Sequence, residues 1–236
     1  MEPPVKETIA DRVHVVLSKI RRAAEKAGRP PHSVRLVAAT KAVTADRIQE
    51  GIGAGLTILG ENRLQEAVLK IAALKDVPVR WHFIGQLQRR KVRSMIGLFD
   101  LIHSVDSMEL AQEINRRAGE AGCCQDILLE VNIGNEPTKA GFQPDTVIGL
   151  VPAMAGLPHI RVKGLMAIPP PTQDAEQARP YFRQLRHLAV PIAELRLPSV
   201  VMDELSMGMS NDYEVAVEEG ATLVRVGTAI FGARHA

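Results

Sequence analysis

Eight short apolar segments recur along this chain of 236 residues, and most of the intervals between them carry helical periodicity. The segments fall at 34–40, 56–60, 80–85, 99–105, 126–133, 161–168, 200–206 and 222–227. They are rich in Val, Leu and Ile without strict alternation, the pattern of strands covered on both faces. Between them, 44–54 carries Ile48 and Ile52, and 62–74 carries Leu64, Ala67, Val68 and Ile71. Residues 107–121 carry Leu110, Ile114 and Ala118, residues 174–188 carry Ala178, Phe182 and Leu185, and residues 210–219 carry Val215 and Ala216. An amphipathic stretch at 5–27 precedes the first strand, with Ile9, Val13, Val16, Leu17 and Ile20 at helical spacing and Gly28, Pro30 and Pro31 to stop it. Strands that alternate with helices argue for parallel pairing. Eight such units predict one closed (β/α)₈ TIM barrel with an extra N-terminal helix. A doubly wound open sheet is the structural alternative, but no G-x-G-x-x-G follows the first strand.

Composition narrows the function classes. Aromatic residues are only 3% of a chain that is 46% hydrophobic, so the core must be built from aliphatic side chains, which suits α/β layers. The formal charge of +2 gives no sign of a nucleic-acid surface. The only cysteines, Cys123 and Cys124, are adjacent, which excludes an ordinary loop-closing disulfide and metal-ligand spacing and fits a reducing compartment. No signal-peptide pattern opens the chain, and no segment approaches the ~20 apolar residues of a membrane span. A soluble cytoplasmic protein is expected, one domain over residues 1–236, with no linker or low-complexity tract.

In such barrels the chemistry sits at the C-terminal ends of the strands. Lys41, Asn62, Gln86, Asp106, Asn132 and Ser206 are expected near that rim. Lys41 ends the apolar run Val34–Thr40. A lysine there either places its charge in water or, with a lowered pKa, condenses with a carbonyl to a Schiff base. The loops after strands 7 and 8 are frequent phosphate sites. The first, Ser206-Met207-Gly208-Met209-Ser210, offers Ser210 as a helix N-cap; the second, Arg225-Val226-Gly227-Thr228-Ala229, offers a glycine for close approach and a hydroxyl at a helix start. Two ordinary strand-to-helix turns would look the same. Barrel closure makes strands 8 and 1 neighbours, so a ligand with both an aldehyde and a phosphate would span the two features. Pyridoxal 5′-phosphate (PLP) is such a ligand.

The segments VAATKAV (37–43), GENRLQEA (60–67), WHFIGQLQ (81–88), HSVDS (103–107), LEVNIGNEPTKAGF (129–142), GLMAIPP (164–170) and LSMGMSNDYEVAVEEGATLVRVGTAIFG (205–232) resemble the YggS/PROSC family of pyridoxal-phosphate homeostasis proteins. Its fold is like the N-terminal barrel of alanine racemase. The resemblance implies that Lys41 carries PLP as a Schiff base, and that the phosphate is held by Ser206 or Ser210 and by the backbone of Gly227 and Thr228. It further implies that Arg225 faces the pyridine nitrogen and that Asn62 lines the ring pocket. Arg90 stands where many members place asparagine, which leaves the role of the 86–91 loop open.

Two functions follow. The first is a carrier without turnover that buffers PLP and passes it to apo-enzymes. The second is a minor amino-acid racemase. Chemistry at Cα needs an electron sink, which a protonated ring nitrogen serves; an arginine can only donate to that nitrogen and so weakens the sink, although racemases of the related fold tolerate this. A racemase also needs a second acid/base opposite the lysine. Only Tyr181 and Tyr213 are available as tyrosines, and both fall in helical segments, where packing or surface placement is expected. The carrier is the preferred reading, as a monomer or weak dimer. A lysine-imine aldolase is a third and weaker one. Among the remaining residues, His82 and His103 read as satisfied core histidines, and Lys139 as a loop lysine or a secondary PLP-binding one. Arg89, Arg90, Lys91 and Arg93 read as a solvated face or a patch that steers an anionic cofactor.

Overall fold

The computed structural model describes residues 7–233. Eight strands form one closed parallel barrel in sequence order: β1 Arg35–Ala39, β2 Ile58–Glu61, β3 Arg80–Phe83, β4 Leu101–Val105, β5 Gln125–Glu130, β6 Ile160–Met166, β7 Val200–Ser206 and β8 Leu223–Val226. The barrel closes where β1 pairs with β8, in register from Arg35↔Leu223 to Ala38↔Val226. Val37, Ile58, Leu101, Leu128, Met166 and Leu223 form an apolar cluster inside the barrel, while a larger one lies between the strands and the helices. Every expected strand is present, and α1 Ile9–Lys26 is the expected N-terminal helix. Residues 5 and 6 of that expected helix lie outside the described residues.

The remaining helices are α2 Ala45–Gly53, α3 Leu64–Ala73, α4 Met108–Glu120, α5 Val147–Ala155, α6 Arg179–Glu194, α7 Tyr213–Glu218 and α8 Thr228–Phe231. A 3₁₀ segment, Arg89–Ser94, replaces the helix between β3 and β4, and another, Ala175–Ala178, leads into α6. The extra helix has a clear structural use. α8 is a single turn and cannot cover the β8–β1 seam, so α1 packs against α7, α8 and α2 over it. Its buried stripe is Ile9, Val13, Val16 and Ile20, and a Thr8–Asp11 capping box fixes its start. Beyond its end, the Arg29 guanidinium donates to the carbonyls of Val217 (2.7 Å) and Ala221 (2.8 Å). No helix among the described residues is long and apolar enough to cross a membrane.

Candidate cofactor site at the barrel rim

The first structural surprise is a strained turn beside Lys41. Ala42, directly after it, sits in the left-handed region at φ 58°, which a non-glycine residue adopts only when its surroundings impose it. The surroundings are a buried ionic group between α3 and the barrel wall. The Lys70 ammonium donates to the Thr40 carbonyl (2.7 Å) and to Glu61 Oε1 (2.7 Å). The Thr40 hydroxyl donates to the same carboxylate oxygen (2.5 Å), and the Ala42 N–H donates to Glu66 Oε2 (3.0 Å). Both backbone neighbours of Lys41 are thus held from outside the barrel. Lys41 itself is half-buried. It lies two residues beyond the end of β1, at the C-terminal rim of the barrel.

Across the seam, Gly227 packs against β1 so closely that a Cβ would lie 3.0 Å from the Ala39 carbonyl oxygen. Gly227 is the N-cap of α8 and Thr228 its first residue. Ser210 does not cap α7: Asp212 holds that position, and the N–H groups of Gly227 and Ala229 donate weakly to Ser210 Oγ, each at 3.4 Å. The turn between β7 and α7 is two residues longer than the periodicity suggests. Asp212 Oδ1 accepts from the Met209 N–H (2.6 Å), and Gly208 stands at φ 89° with Tyr213 and Ala216 packed against its Cα. That leaves Ser210 facing the β8–α8 turn.

Arg225 is buried on β8. Its guanidinium donates to Ser206 Oγ (2.6 Å), the Ser206 carbonyl (2.8 Å) and the Ala167 carbonyl (3.0 Å). Its Nε–H makes no hydrogen bond to a described residue. Burial lowers its pKa to about 10, against the pull of Glu130 and Asp212, so it is a cation at neutral pH. Ser206 is fully buried beneath it, with its hydroxyl also 2.9 Å from His103 Nδ1.

Asn62 follows β2 at the rim but does not cap α3, whose N-cap is Arg63. Its Oδ1 is buried without a partner, an acceptor left for a ligand or water. Gly85 lies against the Asn62 backbone, where a Cβ would meet the carbonyl oxygen at 2.3 Å, so the β2 and β3 ends approach as closely as chains can. Asp106 is half-buried at the end of β4, and Gln86 is exposed. Asn132 serves the loop after β5, donating to the Glu136 carbonyl (2.8 Å) and accepting from the Glu136 N–H (3.1 Å).

Glu130 is the rim residue that sequence reasoning missed. β5 ends there, three residues before its expected end. Burial, reinforced by Asp106, raises its pKa to about 7, while Arg225 and Lys139 oppose the shift. It lines a cavity of 310 Å³ with Ser104, Asn132, Thr138, Lys139, Met166 and Ile168. The Lys139 ammonium is held by Glu136 (2.5 Å). An acid inside the apolar run Ile127–Val131 was the available signal. Tyr213 is buried in α7, with its pKa raised to about 12 by burial, and Tyr181 lies in α6. The basic 89–93 cluster lies on the exposed 3₁₀ segment, pinned by the buried Val92. Among the described residues no group of three His, Cys, Asp or Glu side chains could hold a metal ion.

A buried cation and a glycine turn at the end of β8 lie beside the lysine that follows β1 across the closing seam of the barrel. The family model described as "Alanine racemase, N-terminal domain" matches residues 15–235. The pyridoxal phosphate homeostasis protein of Aquifex aeolicus (strain VF5) is 46% identical over 224 residues, covering 95% of this chain and 97% of that protein. The protein of the same name from Escherichia coli (strain K12) is 40% identical over 229 residues, covering 96% and 97%. The solved structure of PipY from Synechococcus elongatus PCC7942 with PLP bound has a TM-score of 0.83 at 38% identity, covering 95% of this chain and all of that one. The chain belongs to the pyridoxal phosphate homeostasis protein family, within the larger alanine racemase N-terminal domain family.

Proposed function

We propose that this protein binds PLP at the rim between β8 and β1, linked through its aldehyde to Lys41, and holds it reversibly for PLP-dependent apo-enzymes. The observation that carries this reading is the seam itself. Lys41, Gly227, Thr228, Ser210 and Arg225 lie there after β1, β7 and β8, and the arginine is buried with no carboxylate of the described residues in contact. Bound PLP supplies an aldehyde that condenses with a lysine amine, releasing water, and a pyridine ring that withdraws electrons when its nitrogen is protonated.

The residues divide the work. Ser210 and the backbone of Gly227 and Thr228 would hold the phosphate, at the start of the α8 turn. Ser206, occupied with Arg225, contributes by holding that arginine. Arg225 donates to the ring nitrogen and keeps it unprotonated, because a guanidinium has no proton to spare at neutral pH. That weakens the ring as an electron sink and favours storage over chemistry at Cα. Asn62 Oδ1 supplies an acceptor at the ring edge. The Ala42 turn, fixed through Glu66, sets the direction of the Lys41 stem. Two free thiols, Cys123 and Cys124, suit action in the reducing cytoplasm.

The test is transfer. PLP-loaded protein, freed of unbound cofactor, is expected to restore activity to an apo PLP-enzyme. Failure to do so while an equal amount of free PLP succeeds would reject the carrier role. The racemase alternative is tested by Cα deuterium exchange of amino acids in D₂O, where we expect none.

A further inference from the structure

Four polar side chains from four strands form one hydrogen-bonded row through the barrel interior, a space that branched apolar residues normally fill. Arg225 on β8 contacts Ser206 Oγ on β7 (2.6 Å), which contacts His103 Nδ1 on β4 (2.9 Å). His103 Nε2 in turn contacts His82 Nδ1 on β3 (2.9 Å). Ser206 and His103 are fully buried, and His82 is 3% exposed.

The arginine fixes every proton along this row. Guanidinium nitrogens only donate, so Ser206 Oγ accepts from Arg225. The serine hydroxyl must then place its own proton, and among the described residues His103 Nδ1 is its one other hydrogen-bonding contact. His103 is therefore protonated on Nε2, which makes His82 Nδ1 the next acceptor and puts the His82 proton on Nε2 as well. The reverse order would strand a buried hydroxyl proton. A protonated His103 would strand it too, and would add a charge beside Arg225, His82 and Arg35; consistently, burial and those neighbours hold its pKa well below the ordinary value. The row ends at the opposite mouth of the barrel. There His82 lines a cavity of 480 Å³ together with Arg35, Arg80, Asp100, Arg161 and Glu204, and its Nε2 makes no hydrogen bond to a described residue.

We infer that Ser206, His103 and His82 are positioning residues for Arg225: a one-way hydrogen-bonded row that holds the guanidinium against the cofactor's ring nitrogen and keeps it a pure donor. This rests on the PLP reading above. It goes beyond that reading in assigning a function to two histidines that touch no ligand.

The test has one arm without cofactor and one with it. In unliganded protein carrying ¹⁵N-labelled histidine, multiple-bond ¹H–¹⁵N spectra between about pH 6 and 9 should report both rings neutral and protonated on Nε2. His103 protonated on Nδ1, or doubly protonated in that range, would overturn the proposed order. In the second arm, Ser206→Ala should weaken PLP binding about tenfold and change the pH profile of the bound cofactor's visible absorbance, because a hydrogen bond to a charged group is lost. Ser206→Thr, which restores the hydroxyl, should bring both back toward wild type. A lower melting temperature in Ser206→Ala with unchanged affinity and pH profile would mean that the row only packs the core. If the wild type takes up no PLP at all, the cofactor reading fails, and the histidine spectra still decide the proton order.

Discussion

Lys70 and Arg225 are both buried cations, and the fold treats them in opposite ways. Lys70 lies outside the barrel wall and meets the fully buried carboxylate of Glu61 at 2.7 Å, with Glu66 3.7 Å away. Its charge is spent within the protein. Arg225 lies inside the barrel and, among the described residues, hydrogen-bonds only carbonyls and a hydroxyl; Glu130 and Asp212 act on it from beyond salt-bridge distance. Its charge is held in place but not cancelled. A buried ion pair is scaffolding, whereas a buried cation ringed by neutral acceptors is a site that awaits a partner.

The largest test of this contrast is Lys70→Ala. It strands the Glu61 carboxylate and frees the Thr40 carbonyl, and should cost about 3–5 kcal/mol in urea unfolding. The double change Glu61→Leu with Lys70→Met should recover most of that loss, because a buried pair replaced by apolar residues is often neutral. A double variant as unstable as the single would mean that the pair is not what matters there. Arg225→Gln keeps donors but removes the charge. It should cost about 1–2 kcal/mol of stability, less than Lys70→Ala, while PLP binding weakens about tenfold. Equal losses of stability in the two variants would erase the distinction.

Glu130 sharpens the contrast through pH. Its carboxyl is raised from 4.5 to about 7 in the folded protein, so the folded state holds the proton more tightly than the unfolded one. Between those values stability should fall as pH rises, and then level off. Glu130→Gln should flatten this dependence and raise stability at pH 8 by on the order of 1 kcal/mol. An unchanged slope would place the carboxyl in ordinary solvent. The smallest effect is the exposed reference. Lys19 pairs with Glu214 at 3.1 Å, both about half exposed, and Lys19→Ala should change stability by no more than about 0.5 kcal/mol.

How far the sequence foretold this molecule depends on the kind of order involved. The strands were legible because runs such as Leu36–Ala39 and Leu223–Val226 are buried on both faces. The rim rule placed Lys41 and Asn62 just beyond the ends of β1 and β2, and the loop argument placed Gly227 at a helix start, as the structure has them. Helix α5 escaped because VIGLVPAMA is apolar on every side and contains Gly149 and Pro152, so it shows no amphipathic period. The expected cap at Ser210 failed because the chain continues past it to Asp212 before the helix starts. The polar row was invisible for a deeper reason. His82 and His103 are 21 positions apart, and His103 and Ser206 are 103 apart; barrel closure, not local pattern, brings them together. Each histidine was readable as a satisfied core residue, but its partner was not.

The most direct measurement is the absorbance spectrum of purified protein with PLP, wild type against Lys41→Ala, before and after borohydride reduction. The account predicts a visible Schiff-base band in the wild type alone, and a reduced pyridoxyl group on the peptide containing Lys41. The same band in both proteins, or reduction onto Lys139 instead, would contradict the assignment of Lys41 as the anchor.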